Sequence, residues 1–234
     1  MSSQSQFLRL VTTFSVVFLA VAAALAADSW RVTLSENREA GQLINRLLAD
    51  LNVGVDQLEL DRDRTAAARD ATTRLITDLQ NSGHHRTEHD MVQDFVAAAR
   101  TGYYDFLLVH DSTYSQLHRS GRLGKTVGSD TEVALIEYFQ YINLIKSLWA
   151  STPQTVNSRF HRLIGIPPIT VTNASELSSA ARKQILESIS SDPSMLDDLR
   201  ELHAMLSILV LNNVFQRAID SSHALSGRLE ALAG

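Results

Sequence analysis

The chain has 234 residues, 44% of them hydrophobic and 20% charged, with a formal net charge of −5. That balance is ordinary for a folded protein and gives no electrostatic ground for a nucleic-acid partner. Cysteine is absent, which excludes disulfides, cysteine metal sites and a thiol nucleophile.

Residues 1–9 read as a short tail. Leu10 to Ala27 carry no charge, and as a helix they would extend for about 27 Å, close to the hydrocarbon thickness of a bilayer. Arg9 and Trp30 flank this run as membrane-interface residues. The reading is therefore a transmembrane anchor over residues 10–27, with the lipid bilayer as its partner. Ala24-Leu25-Ala26 also fits a signal-peptidase site, which would release the mature protein after Ala26. No glycine or proline loosens the helix ahead of that cut, which tilts the reading toward an uncut anchor. The positive flank lies on the N-terminal side, so the short N-terminus is expected in the cytoplasm and the large domain outside it.

From 28 to 234 the pattern is that of a helical bundle domain. The first glycine is Gly41 and the first proline Pro153, so nothing in the punctuation forbids a long early helix, expected over about 28–81. Ile44, Leu48, Leu51, Val55 and Leu58 recur at steps of 4, 3, 4 and 3 and form an apolar seam. Short helices are expected over about 89–120. A second long helix covers about 130–150, with Leu135, Tyr138, Ile142, Ile145 and Trp149 as its inner stripe. C-terminal helices span about 175–232, with Ser175 as a cap and Pro193 in a first turn. Leu206 to Phe215 are too few for a second membrane span, and Asn212-Asn213 interrupt them, so that stretch reads as a buried core helix. The expected fold is all-α: an N-terminal transmembrane helix continuing into a long helix, packed in a bundle with two further long helices and several short ones.

Candidate chemistry is sparse. Gly121 to Thr126, GRLGKT, lacks the first glycine of a phosphate-binding loop, because Arg119 stands there, and no strand precedes it. No nucleotide is expected. His85 and His89 would share a helix face and are weak metal candidates, outweighed by a solvated loop that starts at Gly83. His110, Asp111 and Ser112 have the residue types of a hydrolase triad, but neighbours in sequence do not form triad geometry, and Ser112 or Thr113 reads as a helix cap. The expectation is a non-enzyme without cofactor or catalytic residues.

The segment Thr113 to Ile142 is more distinctive. Thr113, Tyr114, Leu117, Ser120, Gly121 and Leu123 match a Thr-Tyr-x-x-Leu-x-x-Ser-Gly-x-Leu pattern, with Tyr138 or Tyr141 downstream. Upstream stand Asp28, Trp30 and the Leu47-Leu48-Ala49-Asp50-Leu51 run. In this order the elements resemble a family of uncharacterised bacterial proteins held by one N-terminal membrane helix. The resemblance covers roughly the first 145 residues. It implies anchorage in a bacterial inner membrane and a helical domain, and it supplies no activity.

The leading functional reading is a single-pass membrane protein that works as a scaffold or by binding other protein chains, with a homo-oligomer or a membrane-protein partner. Its seam at Ile44 to Leu58 could serve self-association or pack against the chain's own later helices. The alternative is an extracytoplasmic sensory or ligand-binding bundle, with a pocket near Tyr103, Tyr104, Phe106 and Tyr114, or a periplasmic protein released by cleavage after Ala26. A third reading, a metal-dependent enzyme, would use the group from His84 to Asp90.

Overall fold

The computed structural model describes residues 3–80, 86–101, 111–151 and 154–233, apart from the side chains of 3–20, 22 and 169. Among these residues nine α-helices and two short 3₁₀ turns form one all-α bundle. The first helix, α1, runs from Ser3 to Gln80 for 78 residues. No proline interrupts it, and its buried threonines close on their own helix. Thr65 Oγ1 donates to Asp61 O and Thr72 Oγ1 to Ala68 O, each at 2.6 Å. A threonine hydroxyl can thus be buried without an unmet donor.

Next comes α2, Glu88–Arg100, which opens on a capping box: Asp90 N–H donates to the Thr87 hydroxyl, and the Asp90 carboxylate accepts from the Thr87 backbone. Two short helices follow, α3 (Ser112–Arg119) and α4 (Leu123–Val127), then α5 (Ser129–Ala150). Helix α6, Thr155–Ile164, stops at Gly165, whose φ of 78° is the left-handed cap conformation. After the 3₁₀ turns Pro168–Thr170 and Ala174–Glu176 come α7 (Ser179–Ser191), α8 (Pro193–Leu211) and α9 (Val214–Ala233). The cap of α7 is Ser178, one 3₁₀ turn later than the expected Ser175, whose own N–H bonds to Asn173. Asp192 caps α8, with Pro193 in its first turn.

The lower part of α1 is the spine. Leu43, Ile44, Leu47, Leu51, Leu58 and Leu75 are buried, and α1 packs against α9, α8 and α2. Helix α5 closes over α9, and α6 and α7 back α2. Above Leu43 the helix stands clear: residues 23–39 are exposed throughout.

Two expectations about this architecture are corrected. The first is the count of long helices. Only α1 is long; α5, in place of the expected second long helix, has 22 residues. Within the expected C-terminal helices, α8 and α9 part at Asn212-Asn213, where Asn213 takes a φ of 50°. Asparagine tolerates that left-handed conformation better than any other non-glycine residue, so paired asparagines are a physical break signal.

The second correction concerns the membrane. Among the described residues, the helical stretch long and apolar enough to cross a bilayer is Pro193–Ala233, at the C-terminal end, not the expected anchor at 10–27. The described part of the free α1 arm carries Asp28, Arg31, Glu36 and Arg38 between Val21 and Arg38. A charge at mid-bilayer costs about 2.5–3.5 kcal/mol, so these residues do not form a span. The inner-membrane placement, with a cytoplasmic N-terminus and the bundle outside, falls with the anchor. The C-terminal stretch itself turns Met195, Leu199, Leu202, Leu206 and Leu209 into the core, as a bundle helix does.

Candidate functional site

Helices α2 and α7 meet side by side, and between their first turns lies a cleft of about 640 Å³. Val92 of α2 and Leu186 of α7 give it an apolar floor. Glu88 and His89 line one wall, and Ser179, Arg182, Lys183 and Glu187 the other. Val92 is fully buried, Leu186 and Arg182 are half-buried, and Glu88 and His89 are exposed. Lys183 Nζ is 3.7 Å from Glu187 Oε1, one helical turn along α7. Six polar or charged side chains thus surround a small apolar floor.

The cleft walls are held from behind by ion pairs. Asp94, on α2, is buried and accepts two hydrogen bonds from Arg74 of α1, at 2.9 and 2.7 Å. Arg86 binds the same carboxylate at 2.6 Å and reaches Asp78 at 2.6 Å. A buried carboxylate is tolerable because both of its oxygens are met by charged donors. On the other side Arg159 of α6 ties Asp192 and Asp198 together at the α7–α8 corner. Asp192 is held below the ordinary carboxylate range, first by the Ser194 hydroxyl and backbone N–H and also by Arg159.

The Thr-Tyr-x-x-Leu-x-x-Ser-Gly-x-Leu element forms a different structure, a strap across α1 made of α3 and α4. Leu117 and Leu123 are buried; Ser120 Oγ donates to Leu117 O at 3.0 Å; Gly121 supplies the turn with a φ of 65°. Tyr114 stacks on Phe139 with ring centroids 4.0 Å apart. Burial, then Asp111 and Glu132, raise its phenol pKa. The Asp111 side chain makes no cap bond at the start of α3, and neither does Ser112 or Thr113. Instead the Thr113 backbone N–H donates to Asp50 Oδ2, 3.3 Å away on α1. The cap arrives from another helix. Arg122 completes the strap by pairing with Glu39 at 2.9 Å.

The other candidates fall as follows. Ile44, Leu51, Val55 and Leu58 of the seam are buried in the chain's own core, with Leu48 packed at its margin. His89 is a cleft wall residue; its intended partner His85, along with Gly83 and His84, lies outside the described residues. So do Tyr103, Tyr104, Phe106 and His110. Trp30 is 69% exposed on the arm, and the Arg9 side chain is outside the described set. Among the described residues no group of three or more His, Cys, Asp or Glu could hold a metal ion, and no catalytic constellation is present. GRLGKT is the α3–α4 turn and α4, with no strand before it among the described residues.

Sequence reading missed the cleft. Arg182 and Lys183 look like any charged pair on a solvated helix face, and the only local hint was their place in the first turn of an amphipathic helix. What makes them a wall is α2, some 90 residues earlier in the chain.

No family model, curated protein or solved structure matches this chain.

Proposed function

We propose that this is a ligand-binding helical bundle rather than an enzyme, with the α2–α7 cleft as its site. The cleft itself carries the reading: about 640 Å³ of space over Val92 and Leu186, rimmed by mixed charge, suits a ligand of small-molecule size. In this reading the bundle is extracytoplasmic and is released by cleavage after Ala26. Residues 23–38 lie outside the bundle, so losing the segment before Ala27 costs the core none of its described contacts. The contact between Asp50 and Thr113 supports treating the Leu-Leu-x-Asp-Leu run and the Thr-Tyr element as one unit, and hence the likeness to the bacterial family described above.

The test is methyl NMR on the purified chain against a panel of small organic acids, amines and neutral compounds. Binding in the cleft shifts the Val92 and Leu186 methyl signals, and Leu186→Trp, which fills the space, abolishes the shift at Val92. A panel that leaves both methyls unmoved overturns the reading. Intact mass of the protein from cells tests the address: a soluble species starting at Ala27 is expected, and one retaining residues 1–26 contradicts it.

A second reading, action through other protein chains, draws on the exposed apolar residues Trp30, Val32 and Leu34 of the arm. It requires a larger sedimenting species than the monomer, which Trp30→Ala with Leu34→Ala would return to monomer mass.

A further inference from the structure

We infer that the α2–α7 cleft binds its ligand by a carboxylate, taken by Arg182, with an apolar body laid on Val92 and Leu186. This rests on the ligand-binding reading above and narrows it to a chemical class.

Charge at the cleft sorts by whether it is already satisfied. Lys183 has Glu187 beside it at 3.7 Å. Glu88 is exposed in the first turn of α2, where water and the free N–H groups of that turn stabilise a negative charge. Arg182 differs from both. It is half-buried, and although its backbone N–H bonds Ser178 O at 3.0 Å, its guanidinium makes no ion pair or hydrogen bond among the described residues. Arg86 and Arg159, which are also partly buried, each meet a carboxylate. A guanidinium presents five donors in a planar fork that matches the two oxygens of a carboxylate. Partial burial makes unmet donors costly and makes an incoming anion correspondingly favourable.

The floor then sets the rest of the ligand. Leu186, half-buried above the fully buried Val92, offers apolar surface and no hydrogen-bonding group, so it rewards an aliphatic or aromatic body rather than a second charged group. A compact inorganic anion would leave that floor uncovered.

Phenylacetate and phenylpropionate, compared with their neutral amides and with inorganic phosphate, form the test on the full chain. Expected are saturable shifts of the Val92 and Leu186 methyls by the acids, and at least tenfold weaker binding by the amides and by phosphate. Arg182→Met removes the preference for acid over amide, and Arg182→Lys restores only part of it; an unchanged methyl spectrum of each free variant shows that the fold is kept. If acids and amides bind alike, the carboxylate assignment fails while the ligand-binding reading stands. If phosphate binds as tightly as the acids, the apolar body is wrong. If no compound in this test or the wider panel moves either methyl, both readings fail together.

Discussion

The two halves of α1 share one backbone and one register but behave differently. Counting back from Ile44 by alternating steps of 3 and 4, the seam passes through Gly41, Asn37, Leu34, Trp30 and Ala27. Below Leu43 those positions are core; above it Leu34 is 40% and Trp30 69% exposed. The change of environment coincides with a change of residue, because glycine and asparagine occupy the seam where the bundle ends. A heptad-like period therefore says where a helix could pack, and the side chains at the seam say where it does.

Truncating the seam on either side of that boundary gives the largest contrast. Leu58→Ala, at a fully buried position, is expected to cost about 2–5 kcal/mol, whereas Leu34→Ala on the arm should stay within about 0.5 kcal/mol. Denaturant unfolding of both variants measures this, and equal losses would mean that the arm is packed in solution. Next in size is Asp94→Ala, which strands Arg74 and leaves Arg86 with Asp78 alone. Removing one side of a fully buried pair costs about 3–5 kcal/mol, and because Arg74 keeps 50% of its side chain in water the expected loss is nearer 2–3.

Asp50→Ala removes the borrowed cap of α3 and should cost about 1 kcal/mol. Its signature is local: the Thr113 amide exchanges faster with solvent while the seam amides of α1 hardly change. A pH series tests the α7–α8 corner. The lowered pKa of Asp192 means that its contribution is present above the ordinary carboxylate range and lost as pH falls through the lowered value. Asp192→Asn should flatten that acid limb of the stability profile. The smallest effect belongs to the arm: a chain starting at Ala27 should melt within about 2 °C of the full chain, because ~1 kcal/mol shifts a domain of this size by about 2–4 °C.

Much of the bundle was readable because burial on one helix face leaves a periodic trace. The stripes Leu135 to Trp149 and Met195 to Leu209 are buried, as their spacing required. The paired asparagines Asn212-Asn213 mark the break between α8 and α9 in the sequence as well. Length and hydropathy do not single out a membrane span, because a core stretch such as α8–α9 passes the same test. The cap from Asp50 and the cleft were beyond reach for one shared reason. Each depends on residues distant in the chain meeting in space, and no local period or motif records such a meeting. Arg182 illustrates this: its type, burial and neighbours matter only after α2 is in place.

The Asp50–Thr113 bond also orders events in time. Its partners are 63 residues apart, and α3 has only eight residues, far fewer than an isolated helix needs to persist in water. The strap can thus gain its helical form only once the spine of α1 is there to receive it. It should register as a late step in refolding, with small φ-values at Leu117 and Leu123 and larger ones along Leu51 and Leu58. The same dependence lets it open before the spine in the native state, on a timescale that hydrogen exchange can follow while the spine stays shut.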